Sequence, residues 1–290
     1  MQSSRKQFVH CDHEYLNFKG GGKFSKSRGT AIDVPYFLSK YDPDALRFYL
    51  TATAPETRDT EFSWEDFVER NNNELVATWG NLCQRPRRAL GFMLSFAYKR
   101  FDGVVPEPGA LDDEDRALLE KVEAGFETVG ELYNAVKLRA ALGEALALAR
   151  EANGYTFTAF SAGLDRKAPW FQIKEDREAA ATSVYVILRA VDNLKTILAP
   201  ILPHTPVLTH RTQKLHEYLG YDGQLFGTQQ VVEYQEETRS HQALTYDHSR
   251  AAGTWAKSEL PPGQLLRQPA PLFKKLDECM IEEEYSRLEG

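Results

Sequence analysis

The feature of this sequence that most constrains its fold is an apolar repeat with steps of three and four residues. It runs through two long stretches, which begin at Asp112 and at about Asp176, and in each stretch the apolar residues share one face of a helix. One stripe comprises Val122, Phe126, Val129, Tyr133 and Val136, and the other comprises Val184, Ile187, Leu188, Val191, Leu194 and Leu198. The second helix is predicted to end at Ala199, before Pro200. Long helices with one apolar face must pack on one another, so the sequence predicts a mainly α protein built on a helical bundle.

Shorter helices are predicted before these two. Asp42 can cap a helix that has Pro43 in its first turn and that ends near Pro55. Ser63 opens a segment similar to a capping box, which predicts a helix through about Arg85. Its core-facing residues are Leu75, Trp79 and Leu82. Helices dominate residues 43–220, and the Gly-rich, Pro-rich and polar remainder predicts an irregular arm with a final helix over about 271–288.

Composition excludes several classes of protein. The 290 residues carry a net charge of −7, so no global basic field is available for sequence-blind binding to nucleic acid. The cysteines are Cys11, Cys83 and Cys279, too few and too widely spaced for a disulfide framework. His10, Cys11 and His13 have a spacing that fits tetrahedral zinc poorly. No apolar run of about 18 residues and no signal-peptide core is present. We therefore expect a cytoplasmic protein with no metal site of its own and no membrane partner.

The stretch with the clearest chemistry covers residues 19–29, Lys-Gly-Gly-Gly-Lys-Phe-Ser-Lys-Ser-Arg-Gly, and a short strand over 14–18 is predicted to lead into it. Glycines let the main chain approach a ligand closely, and lysines supply mobile positive charge suited to a phosphate chain. A Walker A loop is excluded because Phe24 follows Lys23 where Ser or Thr is required. Composition alone would also fit a solvated linker.

The order of residues favours the phosphate interpretation. Lys23-Phe24-Ser25-Lys26-Ser27 resembles the KMSKS signature of class I aminoacyl-tRNA synthetases, with Phe in place of Met. Several stretches of the helical region resemble the methionyl-tRNA synthetase family in particular. They are residues 42–47, residues 64–70, Asn81-Leu82 with Arg85, Ala168-Pro169-Trp170 and the turn from Ala199 to Pro206. The resemblance covers most of residues 14–290.

This resemblance implies a domain order. Residues 1–60 would be the tail end of a class I α/β catalytic domain with the signature loop, residues 61–220 a helical-bundle anticodon-binding domain, and residues 221–290 the arm. It also implies that the loop, Lys23, Phe24, Ser25, Lys26 and Ser27, binds ATP, which comes with Mg²⁺. Lys23 and Lys26 would be the catalytic residues, closing over ATP and stabilising the departing pyrophosphate as methionyl-adenylate forms.

Three further residues are candidates for reading an anticodon. Asn81 and Arg85 are four apart, so on a helix they present an amide and a guanidinium on one face, and both groups can recognise bases. Trp170, directly after a proline, could offer a stacking surface to an unpaired base. An ordinary polar face and a core aromatic are the alternatives. The resemblance implies that these residues contact the CAU anticodon of methionine tRNA.

The family places its nucleotide-binding half before the signature loop, with HIGH-type histidines, a methionine pocket and a zinc-binding region. No such half precedes the loop here, so we expect no zinc site and no activation of methionine by this chain alone, and we expect the missing half as a partner in cis or in trans. Residues 86–93, 156–163 and 207–211 depart from the family. Inside a helix Pro86 would cost ~3 kcal/mol, which predicts a helix end at Arg85.

Other functions fit parts of the sequence. A free-standing, non-catalytic tRNA-binding module would use the bundle without the chemistry. A sister synthetase for leucine, isoleucine, valine or cysteine shares the loop and the bundle plan, but Asn81, Arg85 and Trp170 favour methionine. A purely structural bundle leaves residues 19–29 unexplained.

Overall fold

The computed structural model describes residues 13–20, 22–25, 30–80, 93–162, 167–203, 211–235, 240–270, 272 and 274–289. Helices dominate, which confirms the mainly α prediction. The elements, in chain order, are β1 (Leu16–Phe18), α1 (Val34–Lys40), α2 (Pro43–Ala52), β2 (Thr60–Phe62), α3 (Trp64–Arg70), a π-helical segment (Asn71–Gly80), α4 (Met93–Arg100), α5 (Asp113–Asn134), α6 (Leu138–Ala162), α7 (Pro169–Glu175), α8 (Arg177–Leu198), α9 (Arg211–Tyr218), β3 (Thr228–Gln235), β4 (Ser240–Asp247), a 3-10 turn (His248–Arg250) and α10 (Cys279–Glu289).

The bundle is built on α5, α6 and α8, whose apolar faces form one continuous core. Asp112 starts α5 through a reciprocal capping box with Asp115, and Asp176 caps α8 by accepting from the Ala179 amide. Both predicted helix starts are confirmed. The stripe on α5 ends one member earlier than predicted, because Val136 lies beyond the helix with a φ of 56°. The helix α6 between them was not predicted from the sequence.

The N-terminal region is a small α/β unit. β1 and β2 pair in parallel, with Leu16 opposite Thr60 and Phe18 opposite Phe62, and α1 and α2 form the crossover that a parallel pair requires. Asp42 accepts from the Asp44 amide at the start of α2, as predicted. The unit has its own core of packed aromatic rings, comprising Phe37, Tyr49, Phe62, Trp64 and Phe67.

The helix predicted from Ser63 to Arg85 changes character. Ser63 Oγ accepts from the Asp66 amide at 3.1 Å and starts α3, but the backbone becomes π-helical from Asn71 to Gly80. Trp79 lies in the bundle core as predicted and is 4% exposed. Leu82, Arg85 and the segment 86–92 lie outside the described residues. Residues 156–162 continue α6 without a break, and of residues 207–211 only Arg211, the first residue of α9, is described.

The C-terminal region is more regular than predicted. Part of the predicted irregular arm is regular, because β3 and β4 pair antiparallel, with Thr228 opposite Asp247. The side chains of β3 and β4 that the structure describes are all exposed or half-buried. The strands therefore lack the clear apolar alternation that marks a half-buried strand. The final helix begins at Cys279 and not near residue 271, because Asp277 accepts from the Cys279 amide and starts the helix there.

The described helices include none that is both long and apolar enough to cross a membrane. Within the same described residues, no three His, Cys, Asp or Glu side chains gather as they would around a metal ion.

Candidate functional site

The signature loop leaves the end of β1 through a tight turn. Gly20 has a φ of 90°, a conformation that glycine adopts without steric cost, and the Phe18 amide donates to the Gly22 carbonyl at 2.7 Å. The Lys19 amide donates to Phe62 O at 2.9 Å, so the turn is anchored to β2. Beyond the turn, Lys23 is exposed, and its Nζ lies 5.6 Å from the centroid of the Tyr15 ring. The catalytic candidate Lys23 therefore stands on the surface, on an anchored turn.

Phe24, the residue that replaces Met in the signature, ties the loop to the aromatic core. Its ring packs edge-on against Phe18 at 5.7 Å between centroids and lies 6.2 Å from Phe62. The side chain is 37% exposed, so the contact is partial. An aromatic ring keeps the apolar anchor that a methionine would give at this position.

Thr30 closes the base of the loop. Its amide donates to Ser25 O at 3.0 Å, and its Oγ1 accepts from the Ser25 amide at 3.0 Å. The same hydroxyl lies 3.2 Å from Lys23 O. Residues 23–25 are thereby held beside residue 30. Lys26 and Ser27, the other predicted members of the ATP-binding loop, lie outside the described residues.

The carboxylate of Glu65 links the start of the loop to the C-terminal helix α10. Lys19 Nζ lies 2.9 Å from Glu65 Oε1, and the Tyr285 hydroxyl donates to Glu65 Oε2 at 2.7 Å. Partial burial alone would raise the pKa of Glu65, but the hydrogen bonds from Lys19 and Tyr285 outweigh it and lower the pKa to about 2. Glu65 therefore stays ionised at neutral pH and holds Lys19 next to the turn.

The second candidate site is the first turn of α7. Pro169 is the first helical residue and is buried, and Trp170 follows it. The Trp170 ring is half-buried and packs against the bundle core, so the structure places it between the two alternatives, stacking surface and core aromatic. Phe171 is 41% exposed, with its ring centroid 6.4 Å from that of Trp170. The pair forms a partly exposed aromatic surface.

The other two anticodon candidates, Asn81 and Arg85, lie outside the described residues. The chain just before them is fixed in place. Trp79 is in the core, and Asn153 of α6 donates through Nδ2 to Thr78 O at 2.8 Å.

Several residues of these sites were missed in the sequence. Thr30, Tyr285 and Phe171 belong to no motif, and Glu65 stood out only as part of the stretch 64–70. The roles of these four residues depend on contacts that form only in the folded chain. One signal was available for Phe171, because it is the residue adjacent to a tryptophan already singled out.

Two family models match this chain. The model of class I tRNA synthetases (M) matches residues 4–87, and that of the anticodon-binding domain of methionyl tRNA ligase matches residues 105–221. The methionine–tRNA ligase of Thermomicrobium roseum is 53% identical over 278 residues, which is 95% of this chain and 44% of that protein. The methionine–tRNA ligase of Chloroflexus aggregans is 50% identical over 278 residues, and the match covers 96% of this chain and 42% of that protein. The chain thus spans less than half the length of these relatives.

A solved structure has the same fold. Methionyl-tRNA synthetase of Mycobacterium tuberculosis, in complex with methionyl-adenylate, superposes with a TM-score of 0.66 at 25% identity. The match covers 88% of this chain and 42% of that one.

Proposed function

Because this chain is similar over nearly its whole length to part of the methionine–tRNA ligases, we propose that it serves methionine–tRNA ligation as their C-terminal portion. In this proposal its helical bundle reads the CAU anticodon of methionine tRNA. The loop over residues 23–27 acts on ATP, and the rest of the catalytic machinery comes from the portion of the relatives that this chain does not match. The domain organisation 1–60, 61–220 and 221–290 is part of the same proposal.

The observation that carries the proposal is the setting of Trp170. Its ring is backed by the bundle core yet only half-buried, and the more exposed Phe171 extends the aromatic surface. A ring that is already packed against the core on one side can stack on an unpaired base with little further loss of side-chain entropy on binding. Asn81 and Arg85 add hydrogen-bonding groups for base edges in this proposal.

The signature loop supports the other half of the proposal. Lys23 is an exposed cation on a turn that Gly20, Phe24 and Thr30 anchor, so its charge can meet phosphate with little reorganisation. We infer that Lys23 and Lys26 stabilise the charge that develops on the pyrophosphate as it leaves, while Ser25 and Ser27 fix the loop. Mg²⁺ would accompany ATP on its phosphate oxygens, and no described side chain is assigned to it.

The test is binding of the 290-residue chain to two anticodon stem-loop RNAs at one fixed salt concentration. One carries CAU and the other a substituted anticodon, and the salt is fixed because phosphate contacts make affinity salt-dependent. We expect tighter binding of the CAU stem-loop and an affinity loss of about tenfold or more in Trp170→Ala, which is the effect of losing one base–aromatic stack.

Trp255 provides a matched control. It is another partly exposed tryptophan, 44% exposed, but its ring packs on Phe126 of α5. Trp255→Ala should bind both RNAs as the unaltered chain does. Equal binding of the two RNAs by the unaltered chain, or full discrimination in Trp170→Ala, would refute anticodon reading by this surface.

A further inference from the structure

A buried lysine lies three residues before Trp170. Lys167 is 8% exposed, and its Nζ donates to Asp112 Oδ2 at 2.7 Å and to Asp115 Oδ1 at 2.5 Å. Ordering a lysine side chain and removing its ammonium group from water both cost free energy. The hydrogen bonds to the two aspartates must offset that cost, so they determine where Lys167 lies. Both partners belong to the start of α5. The lysine therefore fixes the chain that enters α7 to a different helix of the bundle.

Asp112, Asp115, Tyr155 and Lys167 form a junction between three segments of the chain, and Asp115 lies at its centre. Its carboxylate, 1% exposed, also accepts from the Tyr155 hydroxyl of α6 at 2.5 Å and from the Asp112 amide at 3.0 Å. Lys167 Nζ lies 5.5 Å from the centroid of the Tyr155 ring, a cation–π contact. The chain entering α7, the start of α5 and the middle of α6 thus meet at one carboxylate.

The charges of the junction favour one another. The hydrogen bond from Lys167 is the main reason why the pKa of Asp112 lies below its usual range. Burial alone would lower the pKa of Lys167, but the two carboxylates outweigh it and raise the pKa. Asp112 and Lys167 are therefore both charged at neutral pH. The carboxylates of Asp112 and Asp115 lie at the positive end of the α5 dipole.

The helix α7 depends on this junction for its orientation. It has only seven residues, too few to be stable alone, and its N-cap residue Ala168 offers no side-chain hydrogen bond. Its far end is joined to α8 through Asp176, whose amide donates to Gln172 O at 2.7 Å. At the near end, the polar contacts of Lys167 and the burial of Ala168 and Pro169 set where the first turn lies.

We propose that Lys167 is a positioning residue for Trp170, and that its ion pairs with Asp112 and Asp115 hold the indole at the angle needed to stack on a base. The inference rests on the proposed function, since it assigns Lys167 a role only if Trp170 reads an anticodon. Lys167 itself contacts no RNA in this account, because its ammonium group is buried and committed to the two carboxylates.

The test compares two lysines that are both buried and paired with aspartate. Lys195 of α8 is 4% exposed and pairs with Asp192 at 2.6 Å, near the end of α8 that is far from α7. In Lys167→Met and Lys195→Met the apolar stem is kept and only the ammonium group is lost. Both variants of the 290-residue chain are measured for unfolding in urea and for the ratio of dissociation constants between the CAU and substituted stem-loops.

We expect Lys167→Met to lower the discrimination ratio by about tenfold, as if one base–aromatic stack were lost. Lys167→Arg can still pair with both carboxylates, so it should keep most of the discrimination ratio of the unaltered chain. Lys195→Met should lose stability but keep the ratio of the unaltered chain. A folded Lys167→Met with an unchanged ratio, or an equal loss in Lys195→Met, would overturn the inference.

Two further variants keep the test decisive. Should Lys167→Met not fold, Asp112→Asn removes one of the two paired charges and keeps an N-cap for α5. We then expect the discrimination ratio to fall by about threefold, less than in Lys167→Met, because only one of the two contacts of Lys167 is weakened. An unchanged ratio in Asp112→Asn would overturn the inference. Trp170→Ala separates a failure of the proposed function from a failure of the positioning role of Lys167. If it keeps discrimination, the proposed function fails and the inference with it. If it loses discrimination while Lys167→Met keeps it, only the inference fails.

Discussion

The buried imidazole of His216, on α9, predicts a loss of stability in mildly acidic solution. The residue is 5% exposed, its ring stacks on Tyr221 at 4.9 Å between centroids, and its Nδ1 lies 3.2 Å from Lys195 Nζ. Burial first, and the positive charge of Lys195 second, lower the pKa of His216 to about 4, although Asp192 acts in the opposite direction. Protonating this ring would place two cations side by side in the bundle core.

The magnitude follows from the two pKa values. In the unfolded chain a histidine titrates at about 6.5. Between that value and about 4, the unfolded chain binds more protons than the folded one, so the free energy of unfolding falls as the pH falls. For this single site the loss between pH 8 and pH 5 is about 2 kcal/mol. That is a large share of a typical folding free energy of about 5–15 kcal/mol.

Urea unfolding followed by far-UV circular dichroism, at pH 8, 7, 6 and 5, measures this loss. In His216→Gln the amide oxygen can still accept from Lys195, but the titrating group is gone. We expect the unaltered chain to lose about 2 kcal/mol more than this variant between pH 8 and pH 5. His248→Gln, at an exposed histidine, should follow the unaltered chain. Parallel curves for the unaltered chain and His216→Gln would refute the reasoning.

Two other predictions concern stability. The buried carboxylate of Glu284 accepts from the Tyr41 hydroxyl at 2.5 Å, so Glu284→Gln should lower the free energy of unfolding by about 1–3 kcal/mol, and an unchanged urea midpoint would contradict this. Gly220 has a φ of 89°, and a Cβ there would overlap the Leu265 carbonyl oxygen, so Gly220→Ala should lower the thermal midpoint by several degrees, roughly the effect of 1–3 kcal/mol. Gly143, in helical backbone with open space around it, is the control: Gly143→Ala should raise stability by up to about 1 kcal/mol, and equal effects at both glycines would contradict the reasoning.

The helix starts could be predicted because capping is local. Asp42, Ser63, Asp112 and Asp176 each lie directly before a helix and accept from an amide two or three residues on. The pattern is contained in four residues and does not depend on the rest of the chain. The apolar stripe of α8 was readable for the same reason, since it repeats over many turns.

The missed features depend on contacts between distant residues. The described side chains of β3 and β4 are exposed or half-buried, so the sequence of these strands shows no clear apolar alternation. Thr30 and Lys167 look like ordinary polar residues until folding brings Ser25 to one and Asp115 to the other. For Trp170 the sequence could identify the ring but not its burial, because that depends on packing against the bundle core.

The measurement that tests the central claim most directly is a crosslink from α7 to RNA. A photoreactive benzophenone amino acid in place of Phe171, which is 41% exposed, would probe the aromatic surface and leave Trp170 intact. We predict that irradiation with methionine tRNA crosslinks this position to nucleotides of the anticodon loop, and that substituting the anticodon strongly reduces the yield. Crosslinks to the acceptor stem, or an equal yield with the substituted anticodon, would contradict the account.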